Sequence, residues 1–215
     1  MYIIVVGLGG IGKNLVSLAT RDKNDVVVID KDAERCKQIA QKYDVISIVG
    51  DSTSKSVLEE AGGSRADALI VTTSDDAVNL MTVLVARDLG IKSVVSVVNK
   101  EEHINMFVNA GVSIQENPDL LVAEHLYKSI QKPSIKDFME VMSGKAEILS
   151  IIVGENSEIA GKNIADIPFG EDVLVIAIER NNELIIPKGN TKIMAGDIAY
   201  IFVPENQVER VTALF

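Results

Sequence analysis

The chain opens on five consecutive apolar or β-branched positions, Tyr2-Ile3-Ile4-Val5-Val6. A run without polar interruption predicts a strand buried on both faces, as in a parallel sheet covered by helices. After a glycine-rich turn the period becomes helical, with Ile11, Leu15, Leu18 and Ala19 on one face. A second apolar run, Val26-Val27-Val28-Ile29, ends in Asp30. The alternation then repeats: a helix over about 32–42, a strand over 45–49, a short helix carrying Val57, Leu58 and Ala61, and a strand over 67–71. Thr72-Thr73-Ser74-Asp75-Asp76 supply hydroxyls and acids suited to cap the next helix, which holds Met81, Leu84, Val85 and Leu89. A fifth strand is expected over 93–98, then a helix with Ile104, Phe107 and Val108, and a brief sixth strand at Val112-Ser113-Ile114. Pro118 opens a helix running through Leu121, Val122, Leu126 and Ile130, as proline does at a first helical position.

Six strands alternating with helices predict a Rossmann-like, doubly wound parallel sheet in an α/β domain, with ligands bound beyond the carboxyl ends of the strands. The polar loops fall there: Asp30-Lys31, Gly50-Asp51-Ser52, Thr72 to Asp75, Asn99-Lys100 and Asn117-Pro118-Asp119. The pattern changes near residues 131–134. Beyond it strands dominate, over 147–153, 173–178, 184–186 and 198–203, with turns at Asn181-Asn182, Pro187-Lys188-Gly189-Asn190 and Ala195-Gly196-Asp197. Short helices are expected near 163–167 and 205–214. The division predicted is a nucleotide-binding domain over 1–132, a linker over 133–142 and a small α+β domain over 143–215. A module that small benefits from a partner surface to complete its core.

Composition narrows the function classes. A net charge of −10 argues against nucleic acid and anionic lipid as partners. The sequence shows no basic leader and no run of about 18 apolar residues, so the expectation is a soluble, cytoplasmic protein without membrane insertion. The single cysteine, Cys36, falls in register with Ala33, Ile39 and Ala40 on a helix and reads as a buried structural thiol. No disulfide or zinc set can be built, and no metal is expected.

The chemistry concentrates in Gly7-Leu8-Gly9-Gly10-Ile11-Gly12, a G-x-G-x-x-G between strand and helix. If a dinucleotide binds here, Gly7 permits the tight turn, Gly9 lets the backbone approach the pyrophosphate, and Gly12 lets helix pack close to strand. The phosphates then sit on the free N–H groups and positive end of the helix. Asp30 lies 18 positions beyond Gly12, where a carboxylate accepts from the 2′- and 3′-hydroxyls of an adenosine ribose. A 2′-phosphate is disfavoured, since two like charges ~4 Å apart near a surface cost about 4 kcal/mol at an effective dielectric of about 20. Lys31 and Arg35 soften that repulsion, so NAD-type or plain adenine nucleotides rank above NADP.

Together these residues resemble the RCK (regulator of conductance of K+) family, the cytosolic regulators of Trk and Ktr potassium uptake systems. The resemblance covers the whole chain. In its first part it rests on the glycine loop, Asp30, the Gly50-Asp51-Ser52-Thr53 turn, and the Thr-rich loop before Asp75-Asp76 and Asn79. In its second it rests on Ile159-Ala160-Gly161-Lys162-Asn163-Ile164, on Ile178-Glu179-Arg180 running to Pro187, and on Ala195-Gly196-Asp197. It implies a regulatory gating subunit, not an enzyme, that assembles as a homo-oligomer, dimers building a tetrameric or octameric ring, beneath a membrane-embedded potassium transporter. It also implies that Asp30 holds the ribose, Asp51 and Ser52 flank the adenosine, and Thr72, Thr73 and Ser74 line the phosphate or nicotinamide end, with Gly10, Ile11, Lys31, Lys100 and Asp119 completing the site. Two departures matter. ATP-preferring Ktr members carry an arginine where this chain has Gly10, and Asp119 is one methylene shorter than the family's usual glutamate. NAD(H) is therefore expected ahead of ATP, ADP and AMP.

The rival reading is an NAD-dependent oxidoreductase. Hydride transfer needs a proton donor or acceptor beside the nicotinamide, and the candidates are few: Lys100, with His103 and His125 reading as surface or cap residues. A third reading is a nucleotide-sensing adaptor for a different partner.

Overall fold

The computed structural model describes residues 1–112, 114–131, 135–142 and 144–215. They divide into two compact units, Met1–Leu121 and Val122–Phe215.

The first unit alternates strands and helices: β1 (Tyr2–Val6), α1 (Gly10–Arg21), β2 (Asp25–Asp30), α2 (Ala33–Lys42), β3 (Ile46–Val49), α3 (Lys55–Glu60), β4 (Ala68–Val71), α4 (Asp76–Asp88), β5 (Ser93–Val97), α5 (Ile104–Asn109), β6 (Ile114–Glu116) and the start of α6 (Pro118–Gln131). The strands form one parallel sheet in the order β3-β2-β1-β4-β5-β6. The chain reverses its winding direction between β1 and β4, which opens a crevice at their carboxyl ends. The uninterrupted apolar run of β1 is explained by its position: alternate residues feed opposite faces. Ile4 and Val6 pack with Leu69, Val71, Val94 and Phe107, while Ile3 and Val5 pack with Leu8, Val16, Val28 and Ile39. Cys36 lies in the second of these clusters, buried as expected.

Two details depart from the sequence pattern. The buried face of α1 is Gly12 and Val16, whereas Ile11 and Leu18 are exposed, because the helix lies so close to the sheet that small residues must face it. The sixth strand runs over Ile114–Glu116, two residues later than expected, with Val95 opposite Ile114; Ser113 lies outside the described residues.

The second unit is an antiparallel sheet ordered β10-β9-β11-β8-β7, from β7 (Ile135–Val141), β8 (Ala146–Ile152), β9 (Leu174–Arg180), β10 (Glu183–Ile185) and β11 (Ile198–Pro204), with α7 (Val208–Thr212) closing it. Leu149, Ile151, Ile178, Ile193, Ile201, Val203 and Val211 form its core. The expected linker over 133–142 instead contains β7, which pairs with β8 along its length. The change of pattern placed at 131–134 falls mostly on 132–134, outside the described residues. Among the described residues no helix is long and apolar enough to cross a membrane.

Candidate functional site

A cleft of about 590 Å³ lies at the carboxyl ends of the parallel strands, within the ~300–1,000 Å³ typical of small-molecule sites. Of the residues singled out from the sequence, Gly7, Gly9, Gly10, Ile11, Asp30, Lys31, Ser52, Thr72, Thr73, Ser74 and Asp119 all line it. Gly12, Asp51 and Lys100 do not.

The glycine loop separates into a packed half and a bare half. Gly7 has φ +89°, a conformation that side chains avoid, and its N–H donates to Ile29 O at 2.9 Å. A Cβ on Gly12 would lie 1.8 Å from Gly7 O; only glycine permits this contact of helix and loop. Thr72 Oγ1 braces the same turn, reaching Val6 O at 3.0 Å and Gly7 O at 2.9 Å. A Cβ on Gly9 or Gly10, by contrast, would meet nothing within 4 Å. Protein packing does not demand glycine there, so the space is open to an incoming group.

The amino end of α1 adds polarity to that space. Its first N–H groups have no side-chain cap, since Gly9 is the N-cap, and its first turn holds no acid. The helices α2 and α4 are capped by their own carboxylates, Asp32 and Asp75. Only α1 of these three leaves its donors and positive dipole end to an outside anion.

Asp30 ends β2 with its side chain 10% exposed. Its Oδ2 accepts from Leu8 N at 2.5 Å and its Oδ1 from Asp32 N at 2.8 Å, fixing the carboxylate against the glycine loop. An ionised carboxylate has about four acceptor positions, so two remain for a diol. Arg35 Nη1 stands 3.9 Å from Asp30 Oδ2. Lys31 lines the cleft but pairs with Asp51 at 3.2 Å. Asp51 also accepts from Thr53 N and Oγ1, and these bonds, with Lys31, hold its carboxyl below the usual range. Asp51 therefore shapes the turn. Ser52, 4% exposed, faces the cleft and bonds to Thr82 Oγ1 at 2.8 Å.

The opposite wall is built by residues far apart in sequence. Asn79, fully buried, surrounds Thr73: its Oδ1 accepts from Thr73 N and Oγ1, and its Nδ2 donates to Thr73 O and Val97 O. Asp76 is the second organiser. Its carboxylate accepts from Asn99 N (2.8 Å), Asn99 Nδ2 (2.7 Å), Lys100 N (3.0 Å) and His103 Nδ1 (2.7 Å). Burial alone would raise its pKa, but the donors from Asn99, His103 and Lys100 outweigh that and hold it below the usual carboxylate range. Lys100 thus enters through its backbone, and His103 stands at the start of α5 with its ring on Asp76. From the sequence Asp76 is a helix-capping acid; in the structure its partners lie more than twenty residues away, beyond the reach of local patterning. Asn99, in the expected polar loop after β5, lines the cleft, and Val97 is a further lining residue that no local motif marked.

Comparison with known proteins bears on both units. Residues 3–118 match the family model of the TrkA-N domain and residues 148–215 that of the TrkA-C domain. The chain is 29% identical over 215 residues to the Trk system potassium uptake protein TrkA homolog of Methanothermobacter thermautotrophicus, covering 100% of this chain and 99% of that one. It is 31% identical over 219 residues to the homolog of Archaeoglobus fulgidus, covering 100% of this chain but 50% of that protein. A solved structure described as "GsuK channel bound to NAD" shares the fold with a TM-score of 0.71 at 18% identity, over 99% of this chain and 39% of that channel. With the TrkA-N match alone spanning more than half of its residues, the chain belongs to the TrkA family.

Proposed function

We propose that this chain is a regulatory subunit of a potassium uptake system, which binds an adenine nucleotide in the cleft of its TrkA-N unit and passes its occupancy to a membrane-embedded transporter. The observation that carries the reading is the pairing of an uncapped α1 amino end and unfilled space at Gly9 and Gly10 with a fixed carboxylate at Asp30. One end suits a pyrophosphate, the other a ribose diol. Relatives named as Trk potassium uptake proteins support the gating role, and the neighbour described as bound to NAD supports a dinucleotide as the ligand class. In this reading the protein is cytoplasmic, works as a homo-oligomer against its membrane partner, and prefers NAD(H) to ATP, ADP or AMP.

Regulation is favoured over hydride transfer by what surrounds the cleft. Among the described residues no histidine or tyrosine lines it, and the lysine that does, Lys31, sits at the β2 end on Asp51. Lys100 is not among the lining residues, and His125 stacks on Phe138 in the other unit. Hydride transfer needs a proton carrier beside the nicotinamide, and the described lining offers no histidine, tyrosine or second lysine for that role.

Calorimetric titration with NADH, NAD, ATP, ADP and AMP tests the reading. The expected result is binding that weakens at least about tenfold in Asp30→Ala, because hydrogen bonds to a charged acceptor contribute roughly 1.5–3 kcal/mol each. Absence of binding by all five nucleotides would overturn it.

A further inference from the structure

The amide of Asn99 is locked in one orientation. Its Nδ2 donates to Thr73 O at 3.2 Å and to Asp76 Oδ1 at 2.7 Å. A side-chain amide nitrogen carries two N–H groups, and both are taken. Reversing the amide would set its oxygen against a carboxylate and a carbonyl, acceptor on acceptor. The lock is itself anchored: Asp76, 6% exposed, also accepts from the Asn99 and Lys100 backbone and from His103. What Asn99 retains for the cleft that it lines is Oδ1, a pure acceptor.

Its place in the cleft gives that acceptor a meaning. Asp30 ends β2 and Asn99 follows β5, and β1 and β4 lie between them. Three strand spacings put the two ends about 14 Å apart. A nucleotide held by its adenosine ribose at Asp30 presents its far end near Asn99. Among the described lining residues the carboxylates there are Asp75 and Asp119, while the cations Lys31 and Arg35 belong to the β2 end. An acceptor that shares its wall with lining carboxylates and not with a lining cation suits a hydrogen-bond donor and repels a phosphate or carboxylate.

Resting on the nucleotide reading above, we propose that Asn99, held by Asp76, is the specificity-determining residue for the far end of the ligand, accepting from an N–H group such as a nicotinamide carboxamide and rejecting an anion. The discriminating probe is nicotinic acid adenine dinucleotide, which differs from NAD by a carboxylate in place of the carboxamide; AMP serves as the half common to both.

Calorimetry on the full chain is expected to show NAD at least about tenfold tighter than the acid analogue, the penalty for losing a donor and gaining an unpaired charge. Asn99→Ala, which also removes a donor from Asp76 and so lowers thermal stability, should bring the two dinucleotides to within about twofold while AMP affinity holds. Asp76→Asn should narrow the same ratio, and in the Asn99→Ala background should change it no further, whatever it costs in stability through the Asn99 and Lys100 backbone. Equal affinities in the unmodified protein, or an Asn99→Ala that weakens both dinucleotides and AMP by one factor, would overturn the assignment and leave nucleotide binding intact. Failure of all three ligands to bind would remove the nucleotide reading and this inference together. If Asp76→Asn does not fold, Asn99→Ala decides the matter alone.

Discussion

Gly9 and Gly12 stand three residues apart in one turn and answer to different neighbours. At Gly12 the neighbour is the protein's own backbone, with a Cβ only 1.8 Å from Gly7 O. Gly12→Ala is expected to destabilise the fold by about 3 kcal/mol or more, read from denaturant unfolding. At Gly9 nothing lies within 4 Å and φ is −72°, which alanine adopts freely. Gly9→Ala should keep stability to within about 1 kcal/mol and still lose nucleotide affinity; unchanged affinity would mean that no phosphate approaches this backbone. Buried carboxylates supply a second residue-level test. At Asp197, as at Asp76, burial would raise the carboxyl, but Arg180 and the Met194 N–H prevail and lower it. A group depressed in the folded state adds stability above its unfolded pKa and loses it as pH falls through the folded one. Thermal unfolding should therefore be level from pH 7 to about 5 and decline below about pH 4, where unfolded aspartates take up protons. Asp197→Asn should lower the plateau and flatten the decline.

At the scale of elements, Arg180 and Asp197 join β9 to the turn before β11. Arg180 Nε and Nη2 both reach the Asp197 carboxylate at 2.8 Å, and Nη2 also donates to Lys192 O. Asp197 is 1% exposed, whereas a third of Arg180 faces solvent. Asp197→Ala is thus expected to cost about 3 kcal/mol, near the low end for breaking a buried pair, with the loss confined to the second unit's unfolding transition. The central strands β1 and β2 were legible because burial on both faces demands an unbroken run of Val and Ile, bounded here by turn residues. The strand β7 was not. Its register against β8 shifts between Ile135 and Asp137, so Ile135 and Phe138, its core-packing residues, fall three apart instead of two. Three of its seven residues are charged, as an edge strand tolerates. The same limit applies to the cleft: the glycine loop and Asp30 carry a local spacing, whereas the Asp76 and Asn99 wall exists only after β4 and β5 have paired.

For the molecule as a whole, α6 sets the question of assembly. Leu121, Val122, Leu126, Tyr127 and Ile130 are all more than half exposed on it, an apolar surface larger than single scattered hydrophobes explain. In the proposed homo-oligomer these side chains are covered by another copy. Leu126→Glu with Ile130→Glu is expected to shift the protein toward monomer in sedimentation velocity, since each charge would enter an apolar contact unpaired. The cleft residues lie within Met1–Leu121, so the dissociated variant retains every group that would touch the nucleotide. Its affinity then becomes informative. A ligand moves an equilibrium between assemblies only by binding them unequally, and the linkage is reciprocal, with couplings of ~1–3 kcal/mol or five- to 150-fold. If nucleotide occupancy is read out as a change of assembly, the dissociation constant must differ between assembled and dissociated protein by a factor in that range. Identical constants would leave the site a nucleotide holder with no hand in assembly.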